Sequence, residues 1–230
     1  RRSAPRVRAC VRARAATRSG ATAPRWPERP GSIYPGRAAV SMKIRGSALM
    51  HTRTYLQTRW GSQAMSVLDA KLPAAARAVF SSPDLVAHSW YPVAVWNAIA
   101  DEISRWPNKT GVIRDLAAYV AEQDLTLAHK VLIKLGTPAL VMRQAGVMWG
   151  MYFNGGRLAP LAEGERFFRL ILYLGVDPQS DPGRQICRDA VPAWQENALR
   201  LSGARGGQSL HTRCRFEGHP TCEYEVRWLR

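Results

Sequence analysis

HTRCRFEGHPTCEYEVRW, residues 211–228, decides how the C-terminal part of this chain folds. Apolar and charged residues alternate on both sides of a Gly-His-Pro turn, the period-two signature of a hairpin with one buried face. With Gly218 at the centre of an odd-length loop, strand parity sets Cys214 opposite Cys222, Arg213 opposite Glu223 and His211 opposite Glu225. The even positions Leu210, Thr212, Cys214, Phe216, Cys222, Tyr224, Val226 and Trp228 then form an apolar face. The odd positions His211, Arg213, Arg215, Glu217, Glu223, Glu225 and Arg227 form a charged one, with opposite charges paired across the strands. A two-residue turn would shift this register.

Both cysteines therefore face a core or a pocket, and Cys187, on the preceding helical stretch, is the natural third thiol. Three readings stand: small core thiols, the reading we favour; a zinc site; and a disulfide or redox pair. Zinc needs four ligands, or three plus water or substrate. His211 is a candidate fourth, but its odd offset from Cys214 puts it on the charged face unless a bulge intervenes. His219 sits in the turn. A Cys-x7-Cys pair is far less specific than paired CxxC motifs.

Upstream the period is helical. Tyr55, Leu56, Trp60, Ala64, Val67 and Leu68 recur at helical spacing in MHTRTYLQTRWGSQAMSVLDAKL. Pro73 suits the first turn of a short second helix, and WYP (90–92) reads as a device that starts a third. A long helical stretch follows over 112–135, closed by Gly136 and restarted after Pro138 through ALVMRQAGVMWGMYF. After Asn154-Gly-Gly the period changes to two strands joined near Glu163-Gly164, then a helix with Pro192 in its path, then the hairpin. The expected class is α+β: a helical layer packed on an antiparallel sheet, strand–strand–helix–strand–strand in the C-terminal part.

The 230 residues carry a formal charge of +16, which on its face suggests nucleic acid. The charge is uneven: residues 1–41 hold ten arginines against one acid, Glu28. That Arg/Pro-rich segment lacks sustained periodicity and is expected to be disordered. Met42 stands where patterning begins, so we read 1–41 as an upstream extension or misassigned start and 42–230 as one small-molecule-binding domain. The alternatives for 1–41 are a basic arm for nucleic acid or a targeting peptide. No stretch is apolar enough for a membrane span, and four cysteines are too few for a disulfide scaffold, so a reducing, cytoplasmic setting is expected.

The order RGSALMHTRTYLQTRWG, WYP, GTPALVMRQAGVMWGMYFNGG and HTRC…GHPTCEYEVRW resembles a family of uncharacterised myxobacterial proteins over about residues 43–229. The closing motif is also similar to the 4-vinyl reductase domain, the ligand-binding module of phenol- and toluene-sensing activators. That domain is related in fold to TRAPP trafficking subunits, bacteriochlorophyll-pathway proteins and haem nitric-oxide sensors. In the aromatic sensors a helix cysteine, an acidic residue and two hairpin cysteines bind zinc beside the effector pocket. By position the resemblance implies Cys187, Cys214 and Cys222 as zinc ligands, with His211 in the acidic place. It implies fold more securely than function.

Trp90, Tyr91, Trp96, Tyr119, Trp149, Tyr152, Phe153 and Phe168 make an aromatic stripe, a pattern more often core than ligand site. Helices closing over an antiparallel sheet nevertheless make apolar cavities, and Trp96, Trp149, Tyr152 and Phe168 are the candidate pocket residues. A haem axial role for His129 is disfavoured, since a lone helical histidine is more often surface or satisfied core. There is no GxSxG, Walker loop, GxGxxG or HExxH, and no pattern that argues for catalysis. The expected function is a non-catalytic sensory or regulatory domain binding an apolar small molecule between helices and sheet. The alternatives are a homodimerisation or protein-interaction module of the same fold, and nucleic-acid binding through the basic arm.

Overall fold

The N-terminal half is organised around a small antiparallel pair that the sequence reading missed. In the computed structural model, which describes residues 41–107, 111–124, 136–174 and 183–230, β1 (Lys43–Arg45) pairs with β2 (Trp90–Pro92), Ile44 facing Tyr91. WYP is thus a strand whose Pro92 also caps the next helix, rather than only a helix start. The chain divides into two units, Arg1–Arg37, which lies outside the described residues, and Ala38–Arg230. The expectations for the basic tail fall outside the described residues.

Helix α1 (Gly46–Lys71) has no side-chain cap. Its first amides are met instead by the loop before β2: Gly46 N donates to Ser89 O and Ser47 N to Ala87 O. Only glycine fits at 46, because a Cβ there would run into the Val86 carbonyl. Helix α2 (Ala74–Phe80) starts with Pro73 as its cap, one residue earlier than expected. Helices α3 (Val93–Ser104) and α4 (Val112–Asp124) bury Val95, Trp96, Ile99 and Ile103, and Ile113, Leu116, Ala117 and Val120, at helical spacing. The rest of the long helix expected over 112–135 lies outside the described residues. The region after Gly136 forms two helices, α5 (Pro138–Arg143) and α6 (Ala145–Tyr152); Thr137 caps the first by accepting from Leu140 N at 3.2 Å, with Pro138 in the first turn.

The strands follow as expected, with a later turn. β3 (Arg157–Gly164) and β4 (Phe167–Tyr173) pair out to Gly164↔Phe167, so the turn is Glu165-Arg166 rather than Glu163-Gly164. A π-helical stretch, Ile186–Ala190, runs into α7 (Val191–Leu201); the irregularity expected at Pro192 lies in the turn just before it. Strands β5 (Gln208–Arg213) and β6 (Cys222–Arg227) complete a four-stranded antiparallel sheet in the order β3-β4-β6-β5. Its inner face carries Phe168, Leu170, Leu172, Cys222, Tyr224 and Val226, all fully buried. Helix α7 packs on β5 and β6, α6 on β3, α4 on α7, and α1 on α4. The fold is α+β, as the sequence implied.

Candidate functional site

The hairpin register matches the expected one next to the turn and departs from it beyond a single residue. Arg213 pairs with Glu223, but a β-bulge at Thr212 shifts the rest: His211 faces Tyr224, and Leu210 faces Glu225. The expected His211–Glu225 pair does not form. The bulge reverses parity in β5, so Leu210 turns outward (56% exposed) and Ser209 inward (5%). Thr212 is also exposed. Phe216 sits in a 3-10 turn, Arg215–Glu217, at 40% exposure rather than on the buried face.

The same bulge brings His211 to the inner face, where its ring stacks on Tyr224 at 4.9 Å between centroids. One ligand atom each from Cys187, His211, Cys214 and Cys222 lies within 4.8 Å of all the others. The turn fixes Cys214 through its carbonyl, which accepts from Glu217 N and His219 N. Cys187 arrives on the π-helical stretch, its thiol donating to Arg184 O at 3.3 Å. All three cysteines are buried and free.

Hydrogen bonding to Cys222, then burial, pushes the Cys187 thiol far up. Hydrogen bonds from Cys187 and His211 and from the Arg215 backbone hold Cys222 well below the ordinary thiol range, against its burial. His211 Nε2 is buried without a hydrogen-bond partner. Three thiols and one imidazole are the Cys3His donor set of structural zinc. Tetrahedral zinc needs ligand edges of about 3.3–3.8 Å, so these side chains close on an ion by moving about 1 Å. Bound there, zinc supplies a cross-link and no chemistry of its own.

A second feature lies between helices and sheet. A cavity of about 80 Å³ is walled by Trp96, Trp149 and Tyr152, three of the four candidate pocket residues, together with Met148, Ile186 and Trp194. Phe168 does not reach it, packing instead against Trp228 in the sheet, ring to ring at 6.2 Å. Trp149 presents only carbon, because its indole N–H donates to Gly155 O at 2.8 Å and its ring stacks on Phe153. At one corner Tyr152 Oη, Trp194 Nε1 and Asp124 Oδ2 are buried without a well-formed hydrogen bond. Asp124 Oδ1 pairs with His51 Nε2 at 3.2 Å. Burial, then the Asp124 charge, raises the Tyr152 phenol far above its ordinary range, so it stays neutral.

Trp194 was not among the aromatic residues singled out from sequence. It follows Ile186 and Ala190 at four-residue spacing, a helical stripe that was legible in principle.

With this geometry in view, comparison with known proteins yields structural neighbours. An H-NOX protein from S. oneidensis in the Fe(II)NO ligation state superposes with a TM-score of 0.59 at 12% identity, covering 81% of this chain and 99% of that one. An unliganded Fe(II) H-NOX protein from K. algicida gives 0.60 at 8% identity, covering 81% and 97%. An oxygen-binding H-NOX domain related to soluble guanylate cyclases, in its oxygen complex, gives 0.53 at 10%, covering 81% and 95%. The chain has the H-NOX fold. No family model and no curated protein matches it in sequence. The neighbours bear out the haem nitric-oxide-sensor limb of the resemblance in fold; they do not speak for its myxobacterial or 4-vinyl reductase limbs.

The neighbours hold Fe(II), so the donors that the cavity wall offers an iron centre matter. Among the described residues its wall offers no histidine or cysteine as axial donor. Its volume also falls well short of the roughly 300 Å³ at which ligand pockets begin. Met148 and Tyr152 are the described wall residues of a type that can ligate iron, and His129 lies outside the described residues.

Proposed function

We propose that residues 42–230 form a non-catalytic sensory domain that takes a small apolar molecule into the cavity between helices and sheet. A zinc ion held by Cys187, His211, Cys214 and Cys222 would brace the neighbouring floor. The observation that carries this reading is the apolar cavity itself, walled by Trp96, Met148, Trp149 and Ile186 with hydrocarbon facing inward. Native interiors are close-packed, and apolar voids of this kind stay dry and accept apolar guests such as xenon. The H-NOX fold, seen elsewhere in nitric oxide and oxygen complexes, supports a sensory role.

Titration with xenon, followed by ¹²⁹Xe NMR and indole fluorescence, tests the reading. Saturable binding is expected, together with its loss in Ala145→Leu, which fills the void from a fully buried position on its wall while the variant keeps a cooperative melt. Xenon that partitions without saturation would overturn it. A stoichiometric Soret band on adding haemin, abolished by His129→Ala, would replace it with a haem reading. Metal analysis of protein purified under reducing conditions is expected to show one zinc per chain; stably folded, metal-free protein that takes up none would remove the brace.

One observation favours a second reading, a homodimerisation module: Leu140 and Val147 stand 43% and 64% exposed on α5 and α6. Sedimentation equilibrium separates the two, since a concentration-dependent dimer lost in Val147→Lys belongs only to the second.

A further inference from the structure

The π-helical stretch Ile186–Ala190 serves both features at once. Cys187 leaves one side of it, fully buried, toward His211, Cys214 and Cys222. Ile186 and Ala190, four residues apart and on the adjoining face, wall the cavity, and Val191 and Trp194 continue that wall into α7. No spacer lies between the two roles: the ligand residue and the first wall residue are consecutive. A π-turn holds one residue more than an α-turn, so it is the part of a helix whose pitch yields most readily, and such turns recur at functional sites.

We infer that occupancy of the thiol–imidazole cluster and occupancy of the cavity are coupled through this stretch. The inference rests on the cavity reading above and adds a regulation to it. As a free thiol, Cys187 donates to Arg184 O of its own helix and meets the hairpin only through a thiol contact with Cys222. As a ligand it gives up that proton and is fixed to the hairpin through three side chains of β5, β6 and their turn. That sets how far Ile186 and Ala190 stand from a guest. Dispersion contact is steep in distance: a gap of about 0.5–1 Å forfeits a quarter to a half of it. A guest held by hydrocarbon alone therefore reads small shifts of this wall. A wall already ordered by Cys187 ligation costs a guest less to order again, so the coupling is positive. By linkage it is reciprocal: whatever factor metal adds to guest affinity, the guest adds to metal affinity.

The test uses the full chain, with zinc and xenon as the two probes. Xenon affinity is measured by ¹²⁹Xe NMR on zinc-loaded and chelator-stripped protein, both shown folded by cooperative melts. Zinc affinity is measured by competition with a chromophoric chelator under xenon and under argon. We expect xenon to bind at least about fivefold tighter to the zinc form, with the same factor in the reciprocal titration. In Cys187→Ala the hairpin keeps His211, Cys214 and Cys222, so zinc binds more weakly but no longer alters xenon affinity. Cys187→Ser, which keeps a donor to Arg184 O, replaces it if the alanine variant does not fold. Xenon affinities equal within about twofold in the two wild-type forms, or full zinc dependence persisting without Cys187, overturn the coupling. Failure of xenon to bind either form removes the cavity reading and the coupling together. Failure of zinc to bind removes the coupling and leaves the cavity reading standing.

Discussion

Thr212 is the residue on which the candidate metal site turns. Parity counted outward from Gly218 gives the Arg213–Glu223 pair correctly, and that ion pair forms at 3.3 Å. One step further the count fails, because nothing in Leu210-His-Thr-Arg213 marks a bulge: the apolar leucine sits where alternation wants it. The bulge therefore hid the fourth member of the cluster, although Cys187, Cys214 and Cys222 were legible from their buried faces. It also moves Leu210, not His211, opposite Glu225, and leaves Glu225 to two arginines, Arg169 at 3.0 Å and Arg227 at 2.9 Å. Their hydrogen bonds hold the Glu225 carboxyl below its ordinary 4.5. A carboxyl lowered by folding contributes stability that is fully present above its unfolded value and is lost as pH falls through the folded value. Carbon-detected NMR is expected to place the Glu225 midpoint below 4.5, and Glu225→Gln should flatten the acid limb of the stability curve below that pH. Since the carboxyl keeps partial contact with solvent at the edge of two exposed arginines, the change will be small. A midpoint at or above 4.5 contradicts the double pairing.

At the scale of elements, long periodic helices were legible and their interruptions were not. The spacing of Tyr55, Leu56, Trp60, Val67 and Leu68 reads as one helix, and α1 does span them, but with a kink at Gly61 (φ 77°, ψ −178°). That conformation is open essentially to glycine alone and costs any other residue about 1–3 kcal/mol. A lone glycine in a helical pattern does not announce this, since many are tolerated in place. No atom lies within 4 Å of a Cβ built at Gly61, so Gly61→Ala isolates the backbone cost. Gly150, inside α6, has equally open space and helical geometry. There alanine removes a glycine's entropy cost and should gain about 0.5–1 kcal/mol. At about 2–4 °C per kcal/mol for a domain of this size, the two substitutions should move the melting temperature in opposite directions. A neutral Gly61→Ala would mean that α1 runs straight through. The β1–β2 pair escaped the reading for a related reason: three-residue strands are too short for alternation to register.

Across the whole molecule, one apolar cluster runs from Met42 and Ile44 through the helices to Tyr224, Val226 and Trp228 on the last strand. The period change after residue 156 was enough to give the α+β class, because each element's buried face could be read independently. The cavity could not be read this way, since a void is a failure of several elements to close and belongs to none of them; Phe168 was assigned to it because an aromatic residue looks alike in a core and beside a void. A continuous core also fixes what the proposed zinc can do. Small zinc domains unfold without metal because they have little else. Here Cys187 joins α7 to a hairpin that Leu199, Leu170 and Val226 already bury against neighbours, so metal adds to a fold that stands without it. At a free zinc concentration about 100 times Kd, linkage adds about 2.7 kcal/mol. Stripping zinc with a chelator should then lower the melting temperature by about 5–10 °C while the far-ultraviolet circular dichroism at 25 °C is unchanged. Restoring zinc should restore the melt, and His211→Ala should reduce the shift without abolishing it, since three thiols remain. Outright unfolding on chelation would show that the sheet and helices depend on the ion, and no shift at all would show that the four side chains meet only as core.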